Sequence, residues 1–161
     1  MELNRKHRGR VQIWHPGLNQ SMDAIEEMIT NPTVAMGLGD SGAHVGQIMD
    51  ASSPTWLLSY WVKTRGVMSL EEAIRGWTSD TAAIFGIEDR GVLREGAHAD
   101  INVIDLDNLA MELPEYKHDF PAGAGRFVQR GRGYTQVIVN GQVFMEHGEH
   151  TGAVAGVTLR S

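Results

Sequence analysis

At Gly91 the hydrophobic period of this chain changes, and the change limits the folds open to it. Upstream, apolar residues recur at helical spacing. Ile25, Met28 and Ile29 fall at i, i+3 and i+4 and give residues 21–30 one apolar stripe. Ser21 or Asp23 can cap that helix, and Asn31-Pro32 ends it. Ser53-Pro54 reads as a second helix start, with Ser at the cap and Pro at the first helical position. Trp56, Leu57, Tyr60 and Trp61 recur to about Arg65, with Gly66 as the terminating residue. Such an aromatic stripe belongs to a core more often than to a ligand platform. Ser69-Leu70-Glu71-Glu72 is a capping box opening a third helix, and a short one over 80–85 ends at Gly86. Downstream of Gly91 the period is two. Val92-Leu93 and 99–104 read as strands joined by a turn at Glu95-Gly96. Residues 134–139 and 142–145 read as a hairpin over Asn140-Gly141, a strong type I′ turn signal. The Gly- and Pro-rich stretch 109–133 between them reads as a long loop.

One upstream segment does not fit the helical series. The apolar, β-prone run 33–38 follows the first helix directly, the αβ step that barrels repeat. It breaks on Gly39-Asp40-Ser41-Gly42-Ala43-His44. Small residues let the backbone turn sharply and a ligand approach closely. A carboxylate just past the C-terminal end of a strand stands where α/β barrels put their chemistry. Asp40 equally suits a turn or helix cap, and the pattern alone leaves both readings open. Val11, Ile13 and Trp14 form another short apolar run, stopped by His15-Pro16-Gly17; His15 there reads as a loop residue. The basic start, with Arg5, Lys6, Arg8 and Arg10, reads as a solvated end rather than an anion patch.

Composition excludes several classes. The formal net charge of −6 argues against a general nucleic-acid binder. With no cysteine there is neither a disulfide framework nor a thiolate metal site, which is compatible with a cytoplasmic protein. No apolar run approaches the ~18 residues a membrane span needs, and the basic N-terminus lacks the apolar region of a secretory signal.

The segment GLGDSGAHVGQIMDASSPTWLL resembles the stretch after the last barrel strand in the metal-dependent amidohydrolase superfamily, and most of all its N-acyl-D-amino-acid deacylase (D-aminoacylase) branch. WTSDTAAIFGI, DRGVLREGAHADINVID, PEYKHDFPAGAGRFVQRGRGY, VIVNGQV and HTGAVAGVTLR follow in the order of that branch. The resemblance covers the chain from about Asp23 to Arg160. Two small departures stand out. Gly39 occupies a position where Ser often precedes the Asp, and Val157-Thr158 stands where an Arg is common.

The resemblance implies an α/β fold: the C-terminal part of a TIM-like (β/α) metallo-hydrolase barrel over residues 1–86, then strands of a small β-sandwich domain over 87–161. A whole barrel takes about 250 residues, so the expectation is a portion of a longer enzyme, completed by a missing N-terminal barrel half or a partner subunit. The implied activity is hydrolysis of a non-peptide C–N bond, with a small N-acyl amino acid as substrate. A cyclic amidase of the hydantoinase or dihydroorotase kind is the alternative within enzymes. A non-catalytic partial barrel that pairs with another chain is the alternative outside them. The implied cofactor is zinc, which lowers the pKa of a bound water to about 7. Asp40 matches the family residue that both ligates metal and shuttles the proton. Ser41 and Gly42 would line the pocket floor. His44 would bind substrate or brace Asp40, or else be a hydrogen-bonded structural histidine. Asp50 and Ser52-Ser53 lie within reach of the same pocket, Ser53 being better explained as a cap. The family's other ligands, a His-x-His pair and often a Cys or modified Lys, have no counterpart here. A catalytic zinc wants about three protein ligands, so the segment alone is expected to be inactive. His147 and His150 read as solvated loop residues. Arg126 and Arg130 read as surface ion pairs rather than substrate contacts.

Overall fold

The computed structural model describes residues 2–8, 19–37 and 39–158. The run at Val11 to Trp14 and the neighbouring His15 lie outside them. Helix α1 (Glu2–Lys6) is followed by α2 (Met22–Thr30), whose N-cap is Ser21: the Ser21 side chain accepts from the Ala24 N–H at 3.3 Å. Helix α3 (Ser53–Trp56) starts one residue differently from the sequence expectation, because Ser52 holds the cap position and makes no capping bond there. The Ser52 hydroxyl turns instead to the Gln129 side-chain oxygen, and the Ser53 hydroxyl donates to the Asp50 carbonyl at 3.0 Å.

From Leu57 to Val62 the helix widens into a π-helix. The amides of Lys63 and Arg65 reach back five residues to the Leu58 and Tyr60 carbonyls. Leu57, Leu58 and Trp61, at i, i+1 and i+4, are buried on one side of it. Gly66, at φ +63°, closes the segment as expected: its N–H bonds to the Val62 carbonyl. Helix α4 (Leu70–Trp77) carries the anticipated reciprocal capping box between Ser69 and Glu72, and α5 (Ser79–Ile84) follows after Thr78.

Two strand expectations fail. Residues 33–37 pair with no strand among the described residues, and Leu38 lies outside them. A parallel barrel strand needs ladder partners on its flanks, and every pairing between described residues is antiparallel and lies within 101–150. The run is held instead by side chains. Thr33 donates from its N–H to the Asn31 side chain, and the Thr81 hydroxyl donates to the Met36 carbonyl at 3.0 Å. Val92-Leu93 also forms no strand. Gly91 turns there at φ +76°, packed so closely on Thr78 and Ser79 that a Cβ would meet the Thr78 carbonyl carbon at 2.8 Å, and Leu93 projects into solvent.

The β half is a four-stranded antiparallel sheet in the order β1-β6-β7-β8, formed by β1 (Ile101–Ile104), β6 (Tyr134–Val139), β7 (Gln142–Glu146) and β8 (Glu149–His150). The β6–β7 hairpin turns at Asn140-Gly141 with both residues at positive φ, the type I′ requirement. Asp100 ties that turn to β1: its carboxylate accepts from the Asn140 N–H at 2.7 Å. The stretch 109–133, expected as a loop, is folded into two short antiparallel pairs. Strand β2 (Ala110–Met111) pairs with β5 (Gly131–Arg132), and β3 (Glu115–Lys117) with β4 (Arg126–Val128). These pairings join residues far apart in sequence, which local composition does not encode.

Helical and β halves share one core. Leu57, Leu58, Trp61, Ala73 and Leu109 are buried together, with Met22, Ile25, Ile104 and Tyr134 packed against them. Trp61, 2% exposed, also meets the rings of Trp56 and Tyr60, so the aromatic stripe is core. Trp61→Ala is therefore expected to destabilise the fold by about 3–5 kcal/mol; a thermal or urea melt of the variant checks this.

Candidate active site

Asp40 sits in a turned loop, and the residues around it explain the turn. Gly42 adopts φ +96°, a conformation that suits glycine, and the Ala43 N–H donates to the Asp40 carbonyl at 3.0 Å. His44 holds φ +52°, and its carbonyl accepts from the Gln47 and Ile48 amides at 2.7 and 3.1 Å. The loop returns to its start through Asp50, whose carboxylate accepts the Asp40 N–H at 2.6 Å. Residues 40–50 thus form a compact loop with closed ends, of the Ω type.

This loop is fastened to the β half. The Phe127 N–H on β4 donates to the Val45 carbonyl at 2.9 Å. A Cβ on Gly46 would come within 3.5 Å of the Tyr116 hydroxyl on β3, and Gly125 packs so closely on the Tyr116 ring that a Cβ there would meet it at 2.3 Å. The β3–β4 pair is closed by a bidentate ion pair, with Arg126 Nε and one terminal nitrogen each donating to Asp119 at 2.8 Å. Arg126 is thereby committed to Asp119, as the sequence reading expected, and Arg130 pairs with Glu149 at 3.1 Å.

Asp40, Ser41, Gly42 and His44 are all exposed and adjacent on the loop. Among the described residues, neither the Asp40 carboxylate nor the His44 imidazole has a hydrogen-bonding or ionic partner. The structure therefore brings the expected site residues to one accessible surface and leaves the Asp40 carboxylate available, while Asp40 engages the fold only through its backbone. No hydrogen bond or ion pair between His44 and the Asp40 carboxylate forms among the described residues. His147 and His150 line a cavity of about 1020 Å³ with Arg130, Arg132 and Tyr134. A second cavity of about 550 Å³ lies between α2, residues 32–36, α4 and α5. Neither is lined by Asp40.

Among the described residues no three His, Asp or Glu side chains converge on a point that can hold a metal ion. A catalytic zinc needs about three such donors. Of the loop's two acids, Asp40 has a free carboxylate and Asp50 spends an oxygen on the Asp40 amide. The described residues do not by themselves fit a complete metal centre.

A family model described as the amidohydrolase family matches residues 4–145. This chain belongs to the amidohydrolase family. Its relatives include an N-acyl-D-aspartate deacylase of Alcaligenes xylosoxydans xylosoxydans, 35% identical over 62% of this chain and 18% of the relative. A dihydroorotase of Endomicrobium trichonymphae is 51% identical over a shorter stretch, 26% of this chain and 10% of the relative. In three dimensions the chain is similar to a D-aminoacylase with a binuclear metal centre, at a TM-score of 0.51 and 30% identity over 64% of this chain and 20% of the other. The chain spans a fifth or less of the length of these relatives. Likeness in both sequence and structure supports its assignment to the D-aminoacylase branch. No helix among the described residues is long and apolar enough to cross a membrane.

Sequence reasoning singled out Asp40 and its neighbours as candidates and did not foresee the closure of the loop by Asp50. The only signal was an acid ten residues after another, which no local rule interprets. The β3–β4 support yields a prediction. Hydrogen bonding to Arg126, followed by its charge, holds the Asp119 carboxyl below its ordinary value of 3.8. A depressed carboxylate contributes stability above its unfolded value, lost as pH falls through the folded one. The pair is half-exposed, so screening reduces its worth. Exchange of the Phe127 amide, which bonds to the Val45 carbonyl, is therefore expected to quicken as pH drops below 3.8, after correction for intrinsic rates. In Asp119→Asn that pH dependence is expected to disappear.

Proposed function

We propose that this chain is part of a metal-dependent hydrolase of non-peptide C–N bonds, and that N-acyl-D-amino acids are its substrates. Family membership and the likeness to D-aminoacylase support the reaction class. The observation that carries the site is the free, exposed carboxylate of Asp40 on a loop tied down through backbone atoms. Amide hydrolysis needs a base for the attacking water and an acid for the leaving amine. A carboxylate beside the scissile bond serves both steps: it takes a proton as water oxygen bonds to the carbonyl carbon, then delivers it to nitrogen as the C–N bond breaks.

In this reading Asp40 is the proton shuttle and one metal ligand, and Ser41, Gly42 and His44 border the substrate. The metal, for which we favour zinc, supplies Lewis acidity and a more acidic water. Its remaining ligands come from polypeptide that this chain complements, either more of the same enzyme or a partner subunit. A cyclic amide as substrate is the second reading, favoured by the 51% identity to a dihydroorotase.

The test is an assay of the chain alone and after an N-terminal barrel half from a D-aminoacylase relative is supplied, with N-acetyl-D-amino acids and hydantoins as separate panels. Activity is expected only in the complemented sample and on the acyl amino acids. Asp40→Asn is expected to lower kcat by about 10²–10⁴-fold with the complex still assembled. Stoichiometric zinc binding and turnover by the chain alone would overturn the ligand count. Turnover of hydantoins alone would select the second reading. Assembly without turnover on either panel would favour a non-catalytic pairing role.

A further inference from the structure

We propose that Asp50 is a positioning residue for Asp40: its carboxylate, clamped on the Asp40 amide, fixes the direction in which the Asp40 side chain leaves the loop. This rests on the assignment of the site to Asp40 made above and adds a second acid with a different task.

Three observations carry it. The Asp40 N–H meets Asp50 Oδ2 at 2.6 Å, a short contact of the kind charged acceptors make. Asp50 is itself anchored, because its carbonyl accepts the Ser53 hydroxyl at 3.0 Å at the start of α3, whose continuation carries the buried core. Finally, the approach demands a missing side chain. A Cβ on Gly39 would lie 2.6 Å from Asp50 Oδ2 and 3.0 Å from its carboxyl carbon. Real Cβ atoms do not come that close, so glycine at 39 and the Asp50 clamp occur together. This gives a physical reason for Gly39 in place of the serine that often precedes the catalytic Asp in the resembling family.

The other Asp50 oxygen, Oδ1, is buried with no hydrogen-bond partner among the described residues. An orphaned buried acceptor is costly. A carboxylate with one oxygen on the Asp40 amide and the other unpartnered fits a strong acceptor held for one donor. That bond sits one atom from the Asp40 Cα, so losing it frees the backbone torsions that aim the side chain. Misplacement of a reacting group by about 1 Å can cost about 10²-fold in rate.

Two arms test this. In the 161-residue chain, hydrogen exchange is followed at the amide of Asp40, with Ala73, buried in the core, as a control for the fold. Asp50→Ala is expected to speed exchange at residue 40 by at least about 10-fold and leave Ala73 unchanged, whereas Asp50→Asn, which still offers an acceptor oxygen, keeps most of the protection. Unchanged exchange at residue 40 in Asp50→Ala would overturn the clamp. In the complemented enzyme, Asp50→Ala is expected to lower kcat by about 10²-fold with KM little changed, and Asp50→Asn to recover most of it. Gly39→Ala is expected to mimic Asp50→Ala, and the double variant to be no worse than Asp50→Ala alone, because the clash and the clamp vanish together. Additive losses, or an Asp50→Asn enzyme as slow as Asp50→Ala, would overturn the positioning role. Absence of deacylase activity in the unmodified complemented enzyme would instead sink the functional assignment, and the exchange arm would still decide the clamp.

Discussion

The structure depends on burial around Trp61. That ring is 2% exposed and lies where the π-widened helix turns Leu57, Leu58 and Trp61 to one side, against Ala73 of α4 and Leu109 of the β half. These positions fall at i, i+1 and i+4, one side of the helix, and its last turn closes through hydrogen bonds that reach back five residues. The same helix fixes the β half by polar contacts at its edges. Thr55 and the Tyr134 hydroxyl share a hydrogen bond of 2.8 Å, and the Lys63 ammonium donates to the Leu106 carbonyl at 3.0 Å. One buried surface therefore sets the relation between the segment that carries Asp40 and the strands that support it.

What was legible in the sequence was local. The Ser69/Glu72 capping box, the Gly66 terminator and the Asn140-Gly141 turn are each specified by a few neighbouring residues, and each forms as read. What was not legible depends on partners distant in the chain. Residues 33–37 have the composition of a buried strand, but a strand exists only where another offers its backbone, and no described segment does so here. The opposite happens in 109–133, where Gly and Pro suggest a loop. Gly133 shows why composition misleads: at φ +96° it lies against Leu109 and the Asp105 carbonyl, where a Cβ would come within 2.7 Å of the Leu109 Cα. Its smallness serves close packing of a folded segment, not freedom of a loose one.

The candidate site divides in the same way. Asp40 is visible because small residues on both sides of a carboxylate form a recognisable pattern, strengthened by the ordered family motifs. Asp50 could be placed near the pocket from sequence, but its clamp could not, because it arises from a ten-residue return of the chain and from an absent Cβ at Gly39, two facts that need coordinates. The ion-pair readings of Arg126 and Arg130 agree with the structure: Asp119 stands seven residues from Arg126, whereas Glu149 on β8 reaches Arg130 from nineteen residues away.

A site assembled from two pieces of polypeptide places a particular demand on each. The carboxylate contributed by one piece must already point correctly, or docking must supply the ordering energy as well as the contact. The loop from Asp40 to Asp50 meets that demand without help from a partner. One end is closed by the Asp40 amide on Asp50, its middle is tied to β4 through Val45 and Phe127, and its far end is anchored by Ser53 to α3. All three tethers use atoms other than the Asp40 carboxylate. The loop is thus rigid where rigidity aims the acid, and the acid itself stays unengaged. On the proposed reading the other metal donors lie beyond the described residues, whereas the aim of Asp40 is set by its clamp on Asp50.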